Sequence, residues 1–138
     1  MPRESYIRVK LDQIAADRPL SAPIRIFPKA MPSVRVIDGV VCDGYCCYLG
    51  IVDGAHHFEI GVLRSVSNDD SVRIIVHEWR HIEQRMNGWL VGQNTWNGHD
   101  YSTLTYWDKP WEIDARQFEK DFTHVYRVDA EYNPYGNL

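Results

Sequence analysis

The sequence predicts an α+β fold: a small, mostly antiparallel sheet packed on one long helix, with a second helix nearer the C-terminus. Three observations predict it. Short apolar runs in the first half are cut by Pro and Gly. Residues 72–89 repeat apolar side chains at helical spacing, and residues 111–125 do so again. At 138 residues and 44% hydrophobic content the chain can fill a single core, so residues 1–138 read as one domain.

Taken in order, residues 1–20 fit two templates. Ile7, Val9 and Leu11 alternate as in a strand, whereas Ile7, Leu11 and Ile14 share a helical face. "APIRIFPKAMPSVRVIDG" is extended, because Pro23, Pro28 and Pro32 rule out a long helix. "GVVCDGYCCYLGIVDG" sets strand-formers between Asp-Gly steps, a hairpin signal. In "HHFEIGVL", Phe58, Ile60 and Val62 point one way and His57, Glu59 and Gly61 the other. His56 and His57 therefore face opposite sides, as residues of a strand edge.

The pattern changes at "SNDD", residues 67–70. These side chains cap a helix, and the acidic pair suits its positive end. The helix runs to about Asn87, with Gly88 as its stop. "GWLVGQNTWNGHDYSTLTYWDK" shows no period and reads as a long loop, a feature often tied to function in a small domain. A second helix opens at "DKPWEIDARQFEKDF", with Asp108 as cap and Pro110 in its first turn. The tail "DAEYNPYGNL" reads as exposed and irregular.

Composition excludes several classes. A net charge of −4, with no basic run, argues against nucleic acid as a partner. The start has no signal-length apolar core, and no window approaches the roughly 20 apolar residues of a membrane span. The expectation is a cytoplasmic protein without a membrane partner. Cys42, Cys46 and Cys47 form an odd, local cluster that suits reduced thiols better than a disulfide framework.

The chemistry concentrates in "VHEWRHIEQRMNGWL", residues 76–90. On a helical wheel Val72, Ile75, Trp79, Ile82 and Met86 make an apolar stripe. His77 and His81 lie nearly opposite, with Ile74, Gln84 and Gly88; Arg73, Arg80, Glu83 and Asn87 form a charged, wetted strip. Spacing of four stacks the imidazoles one turn apart, where both can bind one tetrahedral Zn2+. Glu78 is rotated off that line, placed to meet a metal-bound water rather than the metal. H-E-x-x-H supplies that set: two neutral nitrogen ligands and a carboxylate base.

A catalytic zinc takes a third protein ligand. The second helix has a core stripe of Trp111, Ala115, Phe118, Phe122 and Val125. Glu112 borders that stripe, with Glu119 two turns on and Asp114 on the other side. A carboxylate beside the core face can reach an ion held between two helices. Asp114, His99 and His124 are the rival ligands.

"VHEWRH" followed by "PWEIDAR" resembles the gluzincin-type zinc metallopeptidases. The likeness spans roughly residues 55–125 and is nearest in style to minigluzincins and to metallopeptidase domains of phage and mobile elements. It implies His77, His81 and Glu112 as zinc ligands and Glu78 as the base that activates zinc-bound water for peptide-bond hydrolysis. It also implies that "HHFEIGVL" edges the cleft and binds a peptide or protein substrate by strand addition. One position departs. Such enzymes often carry Asp or Asn four residues after the ligand Glu, bracing a histidine, and here Arg116 stands there. Asp114, Glu119 or a main-chain carbonyl must then brace the histidines.

Tyr101 or Tyr106 could donate to a tetrahedral oxyanion, but packing of the loop is the favoured reading of both. Two other classes compete with a hydrolase. One is a non-catalytic zinc-binding scaffold or partner-binding module of the same fold. The other is a metal-free binding protein using Trp96, Tyr101, Tyr106 and Trp107 as its contact surface. A protease acting on DNA-bound proteins is disfavoured by the acidic charge.

Overall fold

The computed structural model describes residues 2–127, so the tail read above as irregular lies outside the described residues. In chain order the elements are α1 (Arg3–Asp17), β1 (Ile24–Met31), β2 (Arg35–Ile37), β3 (Val40–Cys42), β4 (Gly44–Val52) and β5 (Ala55–Leu63). There follow α2 (Asn68–Met86), β6 (Leu90–Val91), β7 (Thr95–Trp96), β8 (His99–Asp100), a single 3-10 turn (Tyr106–Asp108) and α3 (Pro110–Arg127). This is the α+β class expected from the sequence.

The helical template wins at the N-terminus. Tyr6, Ile7, Leu11 and Ile14 are buried along one face of α1, a spacing that a strand could not present. Lys10 is buried with them, and its ammonium donates to the main-chain carbonyl of Tyr126 at 2.8 Å. That bond ties the first helix to the last.

The main sheet has the order β1-β5-β4. β4 and β5 pair antiparallel, but β1 and β5 pair parallel. The sheet is therefore mixed, although the other strand pairings among the described residues are antiparallel. Only a hairpin imposes the antiparallel sense, and β1 is separated from β5 by intervening strands. The consequence corrects an expectation: β5, which holds "HHFEIGVL", is central and has no free edge. The edge beside the helices is β4. His56 is likewise interior to the sheet, bonded through Nδ1 to the Tyr48 hydroxyl at 2.8 Å.

Left-handed pairs at Asp38-Gly39, Asp53-Gly54 and Asn97-Gly98 turn the three tight hairpins, as such dipeptides do in type I′ turns. The third lies in the stretch expected to be a structureless loop; β6, β7 and β8 form a small meander there instead. The Asp43-Gly44 step does not turn. Gly44 opens β4 where the strand passes so close to α2 that an added Cβ would run into Ile74.

Ser67 caps α2, its hydroxyl accepting from the Asp70 amide at 3.1 Å, and Gly88 follows the C-terminus with φ +76°. Start and stop are where the sequence places them. The expected wetted strip is reduced to its ends: Asn87 is exposed and the Arg73 side chain partly so, whereas Arg80 and Glu83 are covered. Sheet, α1 and α3 wrap the helix, and its charges are paired instead. Arg73 meets Asp43 at 2.7 Å, Arg80 meets Asp114 at 2.8 Å, and Arg18 of α1 meets Glu83 at 2.7 Å.

Two details of α3 also differ. Asp108 does not cap it; that carboxylate accepts from the Thr105 hydroxyl at 2.9 Å within the 3-10 turn. Its apolar stripe runs Trp111, Ala115, Phe118, Phe122 and then Tyr126, leaving Val125 exposed. The stripe keeps to the 3.6-residue period one residue beyond the sequence reading. The three cysteines are free thiols. Among the described residues no helix is long and apolar enough to cross a membrane.

Candidate metal centre

α2 and α3 pack side by side, and their facing surfaces carry the four candidate residues. His77 and His81 stack one turn apart with ring centroids 5.1 Å from each other. Glu112, in the first turn of α3, reaches between them. Its Oε1 lies 3.1 Å from His77 Nε2 and its Oε2 lies 3.1 Å from His81 Nε2. Glu78 lies beside this trio, its nearest oxygen 4.0 Å from His81 Nε2. His77, Glu78 and His81 bring ligand atoms within 4.8 Å of one another, a group able to hold a metal ion.

The other imidazole nitrogens are also engaged. His77 Nδ1 is 3.1 Å from Glu119 Oε1, and His81 Nδ1 is 2.8 Å from Gln84 Oε1. Gln84 is itself fixed, donating to the Trp111 carbonyl and to Asp114 Oδ2, both at 2.8 Å. Of the braces expected in place of a family-type residue at position 116, Glu119 holds His77 directly. Asp114 acts on His81 through Gln84. Arg116 lines the smaller concavity beside His77 but braces neither imidazole, donating to the Trp107 carbonyl at 2.6 Å. Gln84 sits on the imidazole face of the helical wheel, yet only the approach of α3 gives it a role.

Electrostatics follow from this packing. Burial alone would lower the His77 pKa, but hydrogen bonds to Glu112 and Glu119 and the charge of Glu78 overcome it and raise it to about 10. His81 is raised as well: burial opposes the shift, and the charge of Glu112 prevails. Glu112 moves the other way. Burial would raise it, yet the His81 charge and both imidazole bonds hold it far below the usual carboxylate range. Glu78 feels the same two imidazole charges, which would lower its pKa, but burial outweighs them and pushes it up.

Two concavities meet at the cluster. The larger, about 670 Å³, is bounded by β4, α2, the first turn of α3 and the β6–β7 connection, and includes Glu78, His81 and Glu112. The smaller, about 210 Å³, opens beside His77 and Glu119. Gly44, Glu78 and Tyr106 line both. The Tyr106 hydroxyl is 3.9 Å from Cys42 Sγ, and burial with the charge of Glu112 keeps it strongly protonated. Tyr101 lines neither concavity.

The rival ligands are not drawn in. His99 is exposed on β8, packed against the Tyr101 ring, and His124 is exposed on α3. Asp114 is taken by Arg80 and Gln84. No protein-family model, curated protein or solved structure matches the chain.

Proposed function

We propose that the chain is a zinc-dependent peptide hydrolase, with His77, His81 and Glu112 as metal ligands and Glu78 as general base. The observation that carries this reading is the pair of 3.1 Å approaches between the Glu112 oxygens and the two Nε2 atoms. Donors each ~2.0–2.1 Å from one tetrahedral ion lie roughly 3.4 Å apart, close to the 3.1 Å between each Nε2 and its own Glu112 oxygen. The donor set, two imidazoles and a carboxylate, is that of zinc rather than of a hard oxygen-seeking cation. Braced Nδ1 atoms leave both Nε2 lone pairs to the ion. Glu78 and Glu112 both stand near the imidazoles, and the shorter approach of the Glu112 oxygens favours Glu112 as the third ligand, which leaves Glu78 for the water. The resemblance of "VHEWRH" and "PWEIDAR" to gluzincin-type peptidases supports the same assignment.

Bound zinc supplies Lewis acidity at a scissile carbonyl and lowers the pKa of a water toward ~7. The side chains do the rest. Glu78, whose pKa is raised, accepts the proton of the attacking water on its carboxylate and delivers it to the leaving amine. Tyr106, kept protonated, donates a hydrogen bond to the developing oxyanion. The unpaired edge of β4 lines the larger cleft and offers main-chain groups to an extended peptide, so strand addition belongs to β4 and not to β5. Free thiols at Cys42, Cys46 and Cys47 suit a reducing, cytoplasmic setting.

The test is Glu78→Gln, assayed on a protease-sensitive unfolded protein with zinc content measured in parallel. Hydrolysis is expected to fall about 10²–10⁴-fold with zinc content unchanged. Undiminished hydrolysis would remove Glu78 as the base. Zinc retained by a wild-type protein that cleaves nothing would instead mark a non-catalytic scaffold.

A further inference from the structure

We propose that Arg85 makes the larger cleft a binding site for a carboxylate of the substrate. The inference rests on the hydrolase reading and adds its substrate class: peptides with an acidic side chain, or a free C-terminus, close to the scissile bond.

Arg85 lies one turn beyond His81 on α2 and lines the same cleft as Glu78 and Glu112. Its guanidinium is anchored by uncharged groups alone. One nitrogen donates to the Gly92 carbonyl at 3.1 Å, and the cation lies 5.2 Å from the centre of the Tyr48 ring. Both anchors also line the cleft. The other arginines of α2 behave differently, since Arg73 and Arg80 each meet an aspartate within 2.8 Å. The cleft's second cation, Lys109, is held 2.9 Å from Asp38. Among the described residues, Arg85 is the cation of this cleft that has no carboxylate partner.

A guanidinium carries five N–H donors in a planar fork that matches a carboxylate. The Gly92 bond and the Tyr48 ring fix its place without neutralising it. Arg85 follows His81 by one helical turn, about 5.4 Å along the axis, and lines the same cleft, so the partner belongs near the bond cut. The remaining charge in the cleft is mostly acidic, from Asp38, Glu78 and Glu112. Apart from the metal, Arg85 is therefore the group that draws and positions an incoming carboxylate, since Lys109 is already paired with Asp38.

The experiment uses zinc-loaded Glu78→Gln protein and fluorescein-labelled octapeptides. A single Glu is walked along an otherwise neutral, C-terminally amidated sequence; Gln and Lys replace it in matched sets, and one neutral peptide keeps a free C-terminus. Anisotropy is expected to show roughly tenfold tighter binding for the Glu peptides, the free-carboxylate peptide or both. Those two arms tell a side-chain carboxylate from a terminal one. Arg85→Gln is expected to erase the preference, Arg85→Lys to restore part of it, and Arg85→Glu to favour the Lys peptides, all with unchanged melting temperatures. Equal binding of Glu, Gln and Lys peptides, no binding of any, or an Arg85→Gln protein that keeps the preference would each overturn the proposal. Cleavage by the wild-type protein is followed on the same peptides. Selective binding without cleavage removes the hydrolase reading and keeps carboxylate recognition; unselective cleavage does the reverse.

Discussion

Each imidazole at the centre is held at both nitrogens, and the two sides of the ring respond differently to substitution. Glu112 faces Nε2 of both rings, so Glu112→Ala is expected to abolish stoichiometric zinc in the purified protein, read by elemental analysis. Glu119 touches only the far side of His77, so Glu119→Gln is expected to weaken zinc affinity by roughly 10–100-fold in a chelator competition while leaving the fold intact. Loss of zinc from the first and full affinity in the second would show that the brace is idle. His77, Glu78 and His81 were legible because their relation is set within one helix. Glu112 was one of several acids beside an apolar stripe, and the resemblance of "PWEIDAR" singled it out. Gln84 was not legible, because its bonds to the Trp111 carbonyl and Asp114 exist only once α2 and α3 meet. Arg85 was silent for a similar reason: nothing local distinguishes it from Arg73 and Arg80, whose aspartates come from β4's approach and from α3.

Elements were legible in proportion to how local their causes are. The ends of α2 follow from Ser67 and Gly88, chemistry confined to a few residues. Ser67→Ala is therefore expected to cost about 1 kcal/mol in urea unfolding, with no change in zinc content. A cost near zero would mean that the Asp70 amide finds another partner. The parallel pairing of β1 with β5 was hidden, since nothing in either strand records which way its neighbour runs. It matters for function, because it closes the edge of β5 and leaves that of β4 to the cleft. The β6–β8 meander escaped because its strands are two residues each, too short for any alternation to show. Asn97-Gly98 was its one local mark.

At the scale of the molecule, charge and metal are linked to stability. In the metal-free protein His77 holds its proton up to about pH 10, against an ordinary value of 6.5. A folded pKa raised in this way stabilises the fold fully below about pH 6.5, and the gain is lost as pH rises toward about 10. Coordination needs neutral imidazole, so zinc-loaded protein has no such loss. Melting temperatures of chelated protein are expected to fall from about pH 7 to 10, while those of zinc-loaded protein stay higher and flatter. Parallel curves would separate the metal from the histidines. Because the apolar face of α2 is packed in the core shared with the sheet, α1 and α3, its central amides are expected to exchange only when the domain opens. Deuterium uptake at residues 72–86 is then expected to be the slowest among the described residues and to track global unfolding, so that this helix serves as a stationary anvil rather than as a moving part.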